Sequence, residues 1–267
     1  MNEPIPPTAE QRASWRQDPM QPVALFQKWR DLCFLHWSFP PDEIKKTLPE
    51  GLALDTFHGK AWVGIIPLFM KDVHPRFVPP VPGLSNFLEL NVRTYVLDKD
   101  GRPGVWFYSL DANQAIAVAT ARVGYYLNYL QAEMTAEESD DGMIDYRCKR
   151  VGAKKATRIW YGGKGQAHFA EPGTLEFFLI ERYLLFARDP ASGDIHCGRV
   201  HHEPYPLLTP NLAAYDTVML ELDGLPIPNR APDQLHFSPG VDVKTYGLQR
   251  CCEVHPEAGQ LSETVRA

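Results

Sequence analysis

The sequence predicts a β-rich α+β fold, a single domain with a few short helices. Three observations carry this. Runs of aromatic and β-branched residues recur along the chain, bounded by turn signals instead of long helical periods. Proline is frequent, 24 in 267 residues, about twice the usual share of roughly 5%, and it interrupts both helix interiors and central strands. The two halves of the chain repeat a sheet-plus-helix order loosely without repeating sequence, which favours one mixed domain over two. The expected organisation is a flexible, proline-rich segment at 1–22, one domain at 23–250 and a frayed tail at 251–267.

The elements follow in order. Val23–Trp37 reads as a first buried strand, and Asp42–Leu48, after Pro40-Pro41, as a short helix capped by Asp42. Leu52–Phe57 and Lys60–Met70 flank His58-Gly59 and suggest a hairpin, whereas the prolines and Gly83 of Lys71–Asn86 demand an extended loop. Leu88–Asp98 and Pro103–Leu110 read as strands joined by a turn at Asp98–Arg102. The Ala-rich Asp111–Val123 reads as a helix capped by Asp111. Further strands are expected at Gly142–Arg150, Thr157–Gly162, Gln166–Phe169, Arg182–Arg188, Val218–Leu222, Leu235–Phe237 and Val241–Leu248, with a short helix at Thr174–Ile180. The acidic run Glu137–Asp141 fits a solvated hairpin tip.

Composition excludes several function classes. Lys and Arg number 27 against 33 Asp and Glu, a net charge of −6, so a nucleic-acid partner that works by counterion release is not expected. The longest apolar stretch, Val63–Met70, is far shorter than the roughly 20 residues that span a bilayer, and Met1–Pro22 lacks the features of a secretory signal. Cys33, Cys148, Cys197, Cys251 and Cys252 are odd in number and contain no Cys-x-x-Cys pair, which fits buried thiols in a reducing, cytoplasmic compartment.

Chemistry-bearing residues concentrate in three places. Glu89-Leu90-Asn91-Val92-Arg93-Thr94-Tyr95 alternates strictly, so Glu89, Asn91, Arg93 and Tyr95 share one strand face. Trp62 and Trp106–Tyr108 suggest that flanking strands are covered on both sides, placing that face inside the protein. A buried Arg93 then needs a carboxylate, Glu181 being the first choice, or stays partly free for an anionic ligand. Arg122 ends the Ala-rich stretch, where a helix dipole favours a cation. The Glu181–Arg182 pair lies between apolar runs, where charges are either at a boundary or paired. His196–Glu203 gathers His, Cys and Glu, yet an extended chain there points His201 and His202 in opposite directions, so no metal is expected. Gly162–Gly165 lacks the Walker spacing, and no motif implies a cofactor.

Phe34-Leu35-His36-Trp37, Leu48-Pro49-Glu50-Gly51-Leu52 with Leu54-Asp55, Glu89–Val96, Gly104–Asp111 and Glu181-Arg182-Tyr183 together resemble the YqjF-like proteins, an uncharacterised bacterial family. The similarity runs from about Trp29 to Tyr246. That family resembles a branch of the acetoacetate decarboxylase-like superfamily, which implies a closed, cone-shaped antiparallel or mixed β-barrel. In the decarboxylases a helix leads to a Lys-Lys pair, whose first lysine forms a Schiff base and whose second depresses its pKa. Here Ala115-Ile116-Ala117-Val118 leads to Gly124-Tyr125-Tyr126-Leu127-Asn128, with Leu127 and Asn128 in the lysine positions. Leucine cannot form an imine. Lys154-Lys155 lies well downstream and reads as a solvated turn.

The function expected is the binding of a small anionic or oxo molecule in a polar barrel pocket formed by Glu89, Asn91, Arg93, Arg122, Glu181 and Arg182. Two alternatives stay open. One is an enzyme without a Schiff base, using Glu89 or Glu181 as acid or base. The other, if no cavity exists, is a structural or partner-binding module.

Overall fold

The structure is a computed structural model that describes residues 4–115 and 124–251. In chain order the described strands are β1 (Val23–Phe39), β2 (Ala53–Leu54), β3 (Ala61–Pro75), β4 (Phe87–Leu97), β5 (Pro103–Ala112), β6 (Tyr129–Glu138), β7 (Ile144–Arg150), β8 (Thr157–His168), β9 (Leu184–Arg188), β10 (Ile195–His202), β11 (Leu207–Ala214), β12 (Gln234–Tyr246) and β13 (Gln249–Arg250). The helices are α1 (Ala9–Ser14), α2 (Pro41–Lys45), α3 (Leu175–Ile180) and α4 (Val218–Leu222). The fold is β-rich α+β, as the sequence predicts.

Strand pairing closes on itself. β4, β3, β1, β12, β10, β9 and β5 form a circuit that returns to β4. Besides its antiparallel partner β4, β5 has two neighbours on its other edge: its first half runs parallel to β9 through Val105 and Trp106, and its last residues run parallel to β6. A second sheet, β6–β7–β8–β11, leaves the circuit there and rejoins it where Leu208 of β11 meets Phe237 of β12.

This layout gives β1, β3 and β4 two covered faces. Inside the circuit lie Leu32, Phe34, Ile66, Leu68, Met70, Phe87 and Tyr95, closed off by α3, whose Phe177, Phe178, Leu179 and Ile180 are all buried. Four consecutive buried apolar residues in so short a helix fit only such a place. The opposite face presents Cys33, Leu35, Trp37, Val63, Ile65, Leu90 and Val92 to Ile144, Tyr146, Ile159 and Tyr161 of the second sheet.

Two bulges keep the inward face continuous. Asp31 and Asp72 adopt left-handed backbone conformations, with φ of 51° and 50°, and the β1–β3 register shifts between Arg30 and Leu35 and again between Phe26 and Lys28. Each adds one residue and so reverses which side chains point inward. Along β1 the inward set changes from Leu25, Gln27 and Trp29 to Leu32 and Phe34.

Several sequence expectations are corrected. Within the N-terminal segment, residues 9–14 form α1, with a Thr8–Gln11 capping box. Asp42 does not cap α2, which starts from Pro40 without a side-chain cap. Ala53–Leu54 pairs with β4, so the expected hairpin around His58-Gly59 shrinks to a single Phe57–Lys60 bridge. Asp111 is the penultimate residue of β5, where both its oxygens accept hydrogen bonds from Arg150 at 2.8 Å; residues 116–123 of the expected helix lie outside the described residues. Val218–Leu222 is helical, and the two short strands near the end are one, β12. β6 and β11 were not anticipated.

Gly162, Gly163 and Gly165 belong to β8; the first two serve close packing, and Gly165 takes a left-handed φ of 91°. A Cβ on Gly163 would lie 2.0 Å from Phe237 Cδ1. Gly163→Ala should therefore lower stability by about 1–3 kcal/mol through overpacking, read from the urea midpoint. An unchanged midpoint would show that β8 does not press on β12 as described.

Candidate functional site

Inside the circuit is a cavity of ≈ 340 Å³. Its walls are mainly apolar, including Leu32, Ile66, Leu68, Met70, Phe107, Leu110, Leu127, Leu185 and Val200. Glu89, Asn91, Arg93, Tyr129 and Tyr205 add polar groups, and Val73, His74, Pro75, Val78, Pro79, Val81, Leu84 and Ser85 line the approach. The expectation of a polar pocket is thus modified: a polar patch sits in a mostly apolar cavity.

The alternation of β4 brings Glu89, Asn91 and Arg93 into this cavity. Glu89 is 4% exposed; its Oε2 accepts from the Tyr129 hydroxyl at 2.5 Å and its Oε1 from Asn91 Nδ2 at 3.3 Å. No cation pairs with it among the described residues. Burial raises its pKa above the usual value, opposed by the Tyr129 and Asn91 hydrogen bonds and assisted by the Asp111 charge.

Arg93 is 8% exposed and has no carboxylate within salt-bridge distance among the described residues. Its Nη2 donates to the Leu179 carbonyl at 3.2 Å, while its Nε has no partner. The guanidinium lies 5.5 Å from the Phe34 ring centre and 5.8 Å from that of Tyr95. Tyr95 also donates to the Leu179 carbonyl, at 2.7 Å. This carbonyl is in the last turn of α3, where backbone acceptors lack intrahelical donors. His36 Nε2 lies 2.6 Å from the Tyr95 hydroxyl; with that proton committed to Leu179, the imidazole must be the donor. Gly64 pairs with His36 on one side and with Arg93 on the other, so no side chain separates them. Burial, then the Arg93 charge, pushes the His36 pKa well down and keeps the ring neutral.

Glu181 and Arg182 do not join this group. Glu181 accepts from the Tyr183 hydroxyl and from the Tyr205 backbone N–H at 3.0 Å, with Arg16 Nε 3.8 Å away. It does not pair with Arg93, contrary to the first expectation; its nearest cation is Arg16, in the turn that follows α1. Arg182 donates to Asp55 at 2.9 Å and to the Phe178 carbonyl at 2.7 Å, and Arg12 of α1 grips the same carboxylate through two bonds of 2.7 Å. Burial lowers the Arg182 pKa to about 10, against the pull of Asp55. This second cluster ties the N-terminal helix to the α3–β9 corner, behind the cavity wall. Arg122 lies outside the described residues.

Other sequence candidates find different places. Leu127 lines the cavity, turned there by Tyr126 with φ of 51°, and Asn128 donates to the Tyr108 carbonyl at 2.5 Å. Lys155 is exposed, 3.4 Å from Glu221. His202 stacks on Tyr183, whereas His201 faces Asp18 at 3.8 Å, the opposed orientation of an extended chain. Sequence reasoning missed Tyr129, Tyr205, His36 and Asp55. His36 shares the strand parity of Phe34, a signal that was present; Asp55 stands out only through the family resemblance, because its partners Arg12 and Arg182 are distant in sequence.

Two outcomes test this geometry. Asp55→Ala leaves Arg182 buried without a counter-charge, so unfolding free energy should fall by about 3–5 kcal/mol; a change below 1 kcal/mol, the scale of a surface pair, would show that the cluster is solvated. Glu89 is raised above its usual 4.5, so the folded protein keeps a proton that the unfolded chain releases. Stability therefore declines as pH rises through the window above about 4.3. Glu89→Gln lacks this group, so its stability relative to wild type should increase with pH in urea titrations. A pH-independent difference contradicts a buried, unpaired carboxyl.

Comparison with known proteins places this architecture. The model of the DUF2071 family, described as an uncharacterized conserved protein, matches residues 26–242. The uncharacterized protein YqjF of Bacillus subtilis (strain 168) is 33% identical over 225 residues, 84% of this chain and 91% of that protein. The crystal structure of acetoacetate decarboxylase from Legionella pneumophila subsp. pneumophila str. Philadelphia 1 is similar in fold, with a TM-score of 0.61 at 13% identity, covering 88% of this chain and 90% of the other. The enduracididine biosynthesis enzyme MppR complexed with pyruvate gives 0.57 at 12% identity, covering 88% and 93%. With its circuit of strands, its α3 plug and this similarity over most of its length, the chain belongs to the DUF2071, YqjF-like family and has the acetoacetate decarboxylase-like fold.

Proposed function

We propose that the protein is a cytoplasmic small-molecule binding protein that holds an anionic or oxo compound in the circuit's cavity, with Arg93 as anchor. The single observation that carries this is Arg93 itself: a buried guanidinium facing a cavity, without a carboxylate partner among the described residues and with an unpartnered Nε. A buried charge left this way is costly, and an anion entering the cavity supplies the missing acceptor through charge-assisted hydrogen bonds. Asn91 Oδ1 is likewise buried without a partner, and suits a hydroxyl or protonated group on the ligand. Glu181 and Arg182 are occupied elsewhere and act on the ligand only through the wall they support. The fold neighbour complexed with pyruvate supports a small oxo acid as the type of occupant. The reading requires no cofactor and no nucleic-acid or membrane partner; among the described residues no helix is long and apolar enough to cross a membrane.

This binding proceeds without a Schiff base. The described residues that line the cavity include no lysine, and Leu127 stands where the resemblance places the imine-forming one. Borohydride treatment in the presence of acetoacetate should leave the intact mass unchanged, and a reduced adduct would refute the statement. For the anchor, calorimetric titration with pyruvate and acetoacetate should show binding that Arg93→Met weakens by about 1.5–3 kcal/mol, roughly ten- to a hundredfold in Kd. Equal affinity in the variant would remove Arg93 from the site.

A second reading has its own observation. Glu89 is a carboxyl with a raised pKa, held by Tyr129 on the cavity wall, which suits acid–base chemistry on a bound oxo acid. It calls for deuterium exchange at carbon next to the carbonyl of pyruvate, lost in Glu89→Gln. Absence of exchange above the buffer rate leaves binding alone.

A further inference from the structure

The cavity's two ends differ in what they offer. At the inner end, Arg93 Nε and Asn91 Oδ1 lack partners. Nearer the approach the polar groups are already engaged: Gln27 bonds Thr245 at 3.0 Å and the Trp29 indole at 2.9 Å, Ser85 holds the Val81 N–H at 2.8 Å, and His74 stacks on Phe26. What remains there for a ligand is apolar surface. Ile66, Leu68, Met70 and Phe87 continue from the inner end along β3 and β4. From Arg93 to Phe87, β4 alone spans roughly 20 Å, longer than any two- or four-carbon acid.

The apolar lining does not stop at the protein surface. Val78, Val81 and Leu84, in the connection between β3 and β4, line the cavity and are 45%, 41% and 39% exposed. Phe77 beside them is 88% exposed, with the Arg76 guanidinium 5.2 Å from its ring centre. Clustered exposed apolar side chains at the mouth of an apolar cavity mark a ligand groove more often than a neutral surface.

We infer that the ligand is an amphiphilic carboxylate, a straight-chain acid or oxo acid of medium length, with its head on Arg93 and its apolar tail running along β3 and β4 to Val81 and Leu84. This rests on the anchoring role of Arg93 proposed above and adds the tail. A short, fully polar anion would fill only the inner end and leave the apolar walls and mouth without a partner. The tail covers them, and burial of each methylene contributes to affinity.

The test is calorimetric titration of the full chain with butanoate, hexanoate, octanoate and decanoate, and with decanol as the uncharged control. Kd should fall about fourfold per added methylene, the ratio that ~0.8 kcal/mol per buried CH2 corresponds to. Decanol should bind at least tenfold more weakly than decanoate. Leu84→Asp should abolish most of the gain on decanoate and leave butanoate unchanged, with Val81→Asp as an independent second variant on the same loop. A Kd independent of chain length, or a gain untouched by both loop variants, overturns the inference. Short carboxylates bound in an Arg93-dependent way without any chain-length gain overturn it alone and leave the anion reading standing. Decanol bound as tightly as decanoate, with Arg93→Met altering neither, overturns both.

Discussion

Burial of both faces of the β1–β3–β4 sheet is the constraint on which the rest of this structure depends. One face packs on α3 and the cavity, the other on Tyr146, Ile159 and Tyr161 of the second sheet. A sheet covered on one side can release its polar residues to water, but this one cannot. Every polar side chain on it must therefore find a partner. Thr94 donates to the Trp62 carbonyl at 2.8 Å, Tyr95 to Leu179, and Glu89 accepts from Tyr129. Arg93 is only partly satisfied, as are the neutral Asn91, Trp62 and His36, but Arg93 alone of these four carries a full charge into the cavity.

The same constraint accounts for the bulges and for α3. Without the reversals at Asp31 and Asp72, Trp29 and Phe34 would face opposite sides, and the cavity wall would break along β1 and β3. α3 closes the circuit with side chains and offers its last carbonyls to Arg93, Tyr95 and Arg182, so its position and the orientation of the anchor are linked. The Asp55 cluster, with Arg12 and Arg182, pins that corner from outside.

What could be read from the sequence follows from where the information is local. The face of β4 was legible because a period of two is carried by seven consecutive residues. The cover on both sides was legible from Trp62 and Trp106–Tyr108. β6 was not, because half of its residues are polar and it buries only part of its length, and β11 was not, because Pro210 interrupts it and only Leu207 is fully buried. Val218–Leu222 is too short and apolar for periodicity to separate helix from strand. The capping box at Thr8–Gln11 was present in the sequence and gave the one local sign that the N-terminal segment is ordered. Nothing local could show that Arg12 and Arg16 would take Asp55 and Glu181, leaving Arg93 to the cavity.

The central claim, that Arg93 meets the ligand's anionic group, is tested most directly at the guanidinium. In a 15N-labelled protein, the Arg93 Nε–H resonance, assigned by its loss in Arg93→Met, should move downfield on saturation with decanoate and gain protection from solvent exchange, as a new charge-assisted hydrogen bond requires. A resonance that stays in place while decanoate binds would contradict the account.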